Sequence, residues 1–291
     1  MSRVHDALRR AEQGTAYPEE GYPARGPDEI RGPENPPMHG GVVASPAGRL
    51  NLSPAMLAEV PVVRFQPAPE SHLLDLNNSH ETPAEEFRTL RTRLNHLQTL
   101  QPLHTVVVTS PSPAEGKTFS AVNLALAQAH IAENSVLLGD FDLRRPIIHN
   151  LFQIDRTPGL SDYLTGRCTF PQALRKVEGM NLYLLPAGSM VKNPLELLNM
   201  RQARALFEEL PRIVNWAIFD TPPLLFSADA NLLATLADGT VLVVKIGSTT
   251  FDNVQRAMQS LCENNVLGIV ANGARASELY SKYTYYYSKT E

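Results

Sequence analysis

Long apolar runs are missing from this chain of 291 residues: no window reaches the roughly 18 uninterrupted apolar residues that a membrane-crossing helix requires. Residues Met1 to Arg10 carry charges where a secretory leader needs an apolar stretch. Cysteine is scarce as well. Cys168 and Cys262 stand 94 positions apart, which suits neither a metal clip nor a disulfide framework, and they read as small hydrophobes in a reducing compartment. An excess of one charge is also missing. With 26 basic and 30 acidic residues the net charge is -4, so no basic field exists to hold nucleic acid or an anionic membrane. These absences predict a cytoplasmic protein that binds no nucleic acid and reaches a membrane only through a partner.

What is present is unevenly placed. Of 23 prolines, 11 fall in the first 70 residues, and of nine tyrosines five lie in the last twelve. Val4, Leu8 and Ala11 make one apolar stripe, which predicts a short amphipathic docking helix over residues 1–13. Residues 14–80 show no sustained period and are expected to be a Pro/Gly-rich flexible linker. From Thr82, an N-cap, a proline and early acids open a helix running to about Leu100.

Apolar runs then alternate with helical patterns. Strands are expected at His104–Thr109, Ser135–Asp140, Asn181–Leu185, Trp216–Asp220, Thr240–Lys245 and Leu267–Asn272. Helices are expected at Thr118–Ala132, Pro194–Leu210, Asp229–Leu236 and Asp252–Asn264. Short continuous apolar strands separated by helices define an α/β fold, doubly wound around a mainly parallel sheet, over residues 81–275. Ligands of such sheets sit at the carboxyl ends of the strands.

At the end of the first of those strands the chain reads Ser110-Pro111-Ser112-Pro113-Ala114-Glu115-Gly116-Lys117-Thr118 before a helix. A strand, a turn ending in Gly-Lys-Thr and a helix make a phosphate site: backbone N–H groups face the anion, Lys117 reaches terminal phosphates and the Thr118 hydroxyl suits Mg²⁺. Pro111 stands where the common form of this loop has its first glycine. Asp140 and Asp142 follow the next strand on one face, and Asp220 ends another. Three carboxylates beside a phosphate loop can supply metal ligands and a proton acceptor for phosphoryl transfer.

These motifs resemble those of the bacterial tyrosine kinases of capsule and exopolysaccharide synthesis. Residues 112–118 resemble the family's A motif, Asp-Phe-Asp-Leu-Arg-Arg-Pro at 140–146 its A′ motif, and Ile-Phe-Asp-Thr-Pro-Pro at 218–223 its B motif. The resemblance implies a deviant phosphate-loop kinase using ATP and Mg²⁺. Gly116, Lys117, Thr118 and Phe119 would hold the nucleotide, with Thr118, Asp142 and Asp220 around the metal. Asp140 would take the proton of a tyrosine hydroxyl, and Arg144 joins Lys117, Asp140 and Asp142 in the catalytic set. Asn272 would contact adenine, its other reading being a turn residue before Gly273. Gly139 departs from the family's aliphatic residue and is expected to loosen its strand end.

The same resemblance makes the tail at 276–291 a substrate, with Tyr280, Tyr283, Tyr285, Tyr286 and Tyr287 as phosphoacceptors in trans. Glu85, Arg88 and Arg91, spaced by three on one helix, would join copies into a ring. A separate transmembrane polysaccharide co-polymerase and a cognate tyrosine phosphatase are the implied partners, with the protein peripheral to the inner membrane. Two rivals share the fold: a positioning or partitioning ATPase and a non-catalytic nucleotide-binding scaffold. The first carries a second lysine five positions before the phosphate lysine, where this chain has Ser112.

Overall fold

The structure, a computed structural model, describes residues 52–67, 73, 84–261 and 266–274. The expected docking helix and the tyrosine tail lie outside these residues. Helix α1 (Ala84–Leu100) opens with Glu85 and Glu86 in its first turn, where acids complement the helix dipole. Phe87, Leu90, Leu94 and Leu97 recur on one face and join the core beneath. That face packs on α2 (Lys117–Ala129), with Phe87 and Phe119 edge to face at 5.8 Å between ring centroids.

The sheet has eight strands: β1 (Val62–Val63), β2 (Thr105–Thr109), β3 (Val136–Asp140), β4 (Arg175–Val177), β5 (Leu182–Leu185), β6 (Trp216–Asp220), β7 (Gly239–Lys245) and β8 (Val266–Asn272). Their spatial order is β1-β4-β5-β3-β6-β2-β7-β8, and every pairing is parallel except β4 with β5. The central strands β2, β3 and β6 are buried throughout, which is why they read as unbroken apolar runs. Alternation still divides them between faces. Val107, Leu137, Ala217 and Phe219 enter one core; Val106, Val108, Leu138, Trp216 and Ile218 enter the other. The chain order reverses around β2, so the loop after β2 lies at the switch point where doubly wound sheets bind ligands.

Three expectations need correcting. Residues 52–63 fall inside the predicted linker, yet they form a 3₁₀ turn (Pro54–Glu59) and strand β1, with Leu52 and Val60 only 6% and 5% exposed. Proline suits the start of a turn and the margin of an edge strand, so the high proline content did not exclude ordered backbone. The carbonyls of Pro61 and Val63 accept the N–H groups of Lys176 and Glu178, which ties this segment to β4. The helix expected at 194–210 is two, α6 (Pro194–Leu198) and α7 (Arg201–Glu209).

The third correction concerns Gly139, which does not loosen β3. It pairs with Leu185 and Phe219 on either side, and a Cβ there would lie 2.7 Å from Phe141 Cε2. The missing side chain makes room for a cluster of Phe141, Phe207 and Phe219, whose centroids lie 4.6–5.7 Å apart. Five more helices are α3 (Ile148–Leu151), α4 (Leu160–Leu164), α5 (Phe170–Ala173), α8 (Ala228–Leu236) and α9 (Phe251–Ser260). Of these, α8 and α9 are the two the sequence announces. Among the described residues no helix is long and apolar enough to cross a membrane.

Candidate nucleotide and phosphoryl-transfer site

Strand register brings the charged residues together. Val108 of β2 is the Cα partner of Asp220, and Asp220 is in turn the partner of Asp140. The loop after β2 and the carboxylates after β3 and β6 therefore emerge side by side. At the end of the loop Gly116 has φ +96, a left-handed conformation, and Lys117 starts α2. Pro111, the departure from the common loop, is accommodated: the carbonyls of Ser110 and Pro111 accept from the N–H groups of Leu224 and Leu225.

Lys117 Nζ lies 3.0 Å from Asp142 Oδ2 and 3.4 Å from Asp220 Oδ1. The Thr118 hydroxyl donates to Asp220 Oδ2 at 2.7 Å. Burial acts to lower the Lys117 pKa, but Asp220, Asp142 and Asp140 outweigh it and hold the ammonium above its ordinary value. Asp220 is wholly buried, which raises its pKa; Lys117 and Thr118 pull it back, and the net is an upward shift to about 6. Asp140 Oδ2 accepts the N–H groups of Ile147 and Ile148, each at 3.0 Å, while Oδ1 has no partner. Burial first and Asp220 second push the Asp140 carboxyl well above the usual carboxylate range. Asp140 has no exposed surface, so in this arrangement a substrate hydroxyl does not reach it.

Although three carboxylates meet here, no group of three His, Cys, Asp or Glu side chains among the described residues is arranged as a self-sufficient metal site. That is compatible with Mg²⁺, which takes one or two carboxylates and completes its shell with water and phosphate oxygens. The donor set, all hard oxygen, fits that ion, and Lys117 now supplies positive charge among the carboxylates.

Asn272 Nδ2 donates to the Glu115 carbonyl at 3.0 Å, and a Cβ on Gly116 would fall 1.9 Å from that nitrogen. The asparagine therefore lies directly over the phosphate loop. Other expected residues lie apart from the cluster. Arg144 is taken by Asp229 of α8, with Nε at 2.7 Å and Nη2 at 3.2 Å, and does not join Lys117. Phe119 packs on Phe87. Arg88 pairs with Glu85 within α1, whereas Arg91 Nη1 donates to the Ala127 carbonyl at 3.0 Å and joins α1 to α2. Glu115, Thr249 and Asp229 escape a sequence reading, because nothing marks a carboxylate in the variable part of a loop or its partner 134 residues away.

Phosphate loop, strand-end carboxylates and helix N-terminus together define a nucleotide-binding domain of the deviant phosphate-loop type. No protein-family model matches the chain. Tyrosine-protein kinase YwqD of Bacillus subtilis is 36% identical over 208 residues, spanning 71% of this chain and 87% of its own length. Tyrosine-protein kinase etk of Escherichia coli K12 is 33% identical over 212 residues, 72% of this chain but 29% of the longer protein. The solved kinase domain of the Escherichia coli enzyme superposes with a TM-score of 0.66 at 30% identity, covering 75% of this chain and 89% of that domain. The septum site-determining protein MinD of Pyrococcus horikoshii, at TM-score 0.51 and 19% identity over 60% of this chain and 73% of its own, shares the fold alone. The chain belongs to the bacterial tyrosine kinases of the capsule and exopolysaccharide family, and the positioning-ATPase reading is set aside.

Proposed function

We propose that this chain is an ATP-dependent protein-tyrosine autokinase whose substrate is its own tail, Tyr280 to Tyr287, presented by a second copy. The observation that carries the reading is Lys117 at the phosphate loop within reach of Asp142 and Asp220, beside Asp140. Bound ATP and Mg²⁺ would supply the transferable phosphoryl group and neutralise its developing charge. Thr118, Asp142 and Asp220 offer the metal oxygens, and the N–H groups of the loop and first helical turn receive the phosphates. Lys117, now beside Asp142 and Asp220, would pair with the phosphate oxygens.

Asp140, with an unpartnered Oδ1 and a carboxyl pKa raised by burial, would be the proton acceptor for a tyrosine hydroxyl that reaches it. Asn272, beside the loop, would contact the base. Arg144 would act as a cation held at the site's margin by Asp229.

Copies assemble through the α1 face carrying Glu85 and Arg88. The tail's phosphorylation regulates capsule or exopolysaccharide synthesis and export, with a membrane-bound polysaccharide co-polymerase as activator and a tyrosine phosphatase as its opponent. The protein works at the cytoplasmic side of the inner membrane through that activator. The test is mass spectrometry of the purified chain after incubation with Mg-ATP and its activator. Phosphate on the tail tyrosines is expected, with loss of labelling in Lys117→Met. Normal ATP binding with an unmodified tail would mean a nucleotide-binding scaffold instead.

A further inference from the structure

Glu115 is a carboxylate inside a loop that must receive an anion, and it is only 3% exposed. Both of its oxygens are engaged. Oε2 accepts the Ser112 N–H at 2.8 Å, closing the loop on itself, and Oε1 accepts the Thr249 hydroxyl at 2.6 Å from the turn after β7. Its carbonyl takes Asn272 Nδ2.

The structure holding Thr249 is itself fixed. Thr249 Oγ1 accepts the Lys245 N–H at 2.8 Å, its N–H donates to the Lys245 carbonyl at 2.9 Å, and Ile246 N–H donates to the Asn272 carbonyl at 2.9 Å. Thr249 has one hydroxyl proton, and that proton goes to Glu115. The turn after β7 and the end of β8 thus grip one residue of the phosphate loop from two strands.

The consequence concerns which donors remain for an anion. Pro111 and Pro113 bring no N–H, and the Ser112 N–H is spent on Glu115. The donors left in the loop and first helical turn are those of residues 114 to 118, in a backbone where Ala114 (φ 61) and Gly116 (φ 96) are left-handed. Successive N–H groups in such a backbone form an anion-binding concavity only while its shape is kept.

We propose that Glu115 is a positioning residue for nucleotide: clamped by Thr249, it fixes the curvature of the phosphate loop and so sets nucleotide affinity without touching the reacting atoms. The inference rests on the reading of this loop as the nucleotide phosphate site.

The experiment measures Mg-ADP binding to the full chain by calorimetry, together with tail phosphorylation across a range of Mg-ATP concentrations. Glu115→Ala and Thr249→Val should each weaken Mg-ADP binding by about tenfold, the scale of losing a hydrogen bond to a charged group. The double variant should be no worse than the weaker-binding single one, because both break one clamp. Glu115→Gln keeps one acceptor, for Ser112, and its amide can donate to Thr249 Oγ1 in place of accepting from it, so it should bind Mg-ADP more tightly than Glu115→Ala. In tail phosphorylation the loss should fall on the KM for Mg-ATP more than on kcat, a split that a general folding defect would not give.

Unchanged affinity in Thr249→Val, effects that multiply in the double variant, or a Glu115→Gln as weak as Glu115→Ala would overturn the role. If Glu115→Ala does not fold, Thr249→Val and Glu115→Gln decide. An unaltered chain that binds no Mg-ADP would instead remove the nucleotide reading, and this inference with it.

Discussion

At Gly139 the absence of a side chain is filled by its neighbours' rings. Gly139→Val should cost about 1–3 kcal/mol in urea unfolding, because Phe141 and Phe219 must shift to admit it. An unchanged midpoint would show that the aromatic cluster yields freely. Tyr163 is buried with a hydroxyl that has no partner, and burial, with Cys168 and Glu209 nearby, raises its pKa to about 12. A folded-state pKa above the unfolded value of about 10 means that stability is fully present below pH 10 and is lost as pH rises toward 12. Tyr163→Phe should leave stability at neutral pH within about 1 kcal/mol and flatten the alkaline decline, as followed by circular dichroism against pH. Residues of the candidate site were legible where a local pattern carries the chemistry, as with Lys117 and Thr118 after a strand, or Asp220 at a strand end. Glu115 and Asp229 were illegible because their partners are distant in sequence, and Arg91 because spacing on a helix does not say which charged residue turns inward.

Element boundaries separate in the same way. The strands β2, β3, β6 and β7 are mostly apolar runs of five to seven residues bounded by turns, and a strand needs no 3.6-residue period to be read, so the sequence shows them to within a residue or so. The elements α3, α4, α5 and β4 have three to five residues each, too few for a period to repeat. The ordered segment at 52–63 was hidden by its prolines. A chain beginning at residue 81 removes this segment, uncovers the edge of β4 and opens the sites of Leu52 and Val60. It should melt several degrees below a chain beginning at residue 50 by scanning calorimetry, and equal midpoints would make the segment an ornament of the edge. On α1 the two arginines should separate. Arg91→Ala should cost about 1 kcal/mol by loosening α1 from α2, whereas Arg88→Ala should act on assembly and lower the mass seen by light scattering.

Across the whole molecule, the architecture was legible in outline: alternating strands and helices imply a doubly wound sheet, and its ligand site follows from topology. The order of strands was not legible, since nothing local tells β6 to insert between β2 and β3. That insertion sets Asp220 beside both the loop and Asp140. Lys117 then gives the protein an internal counterion, an ammonium between the carboxylates of Asp142 and Asp220. The lysine that follows β2 thus also helps to hold three strand ends together. Replacing it by Met should destabilise the unliganded chain by about 3–5 kcal/mol at neutral pH, while Arg should preserve most of that stability. Without the ammonium the carboxyls keep their protons more tightly in the folded state, so stability falls as pH rises through their raised folded-state pKa values. The thermal midpoint of Lys117→Met should accordingly move toward that of the unaltered chain between about pH 7.5 and about pH 5.5.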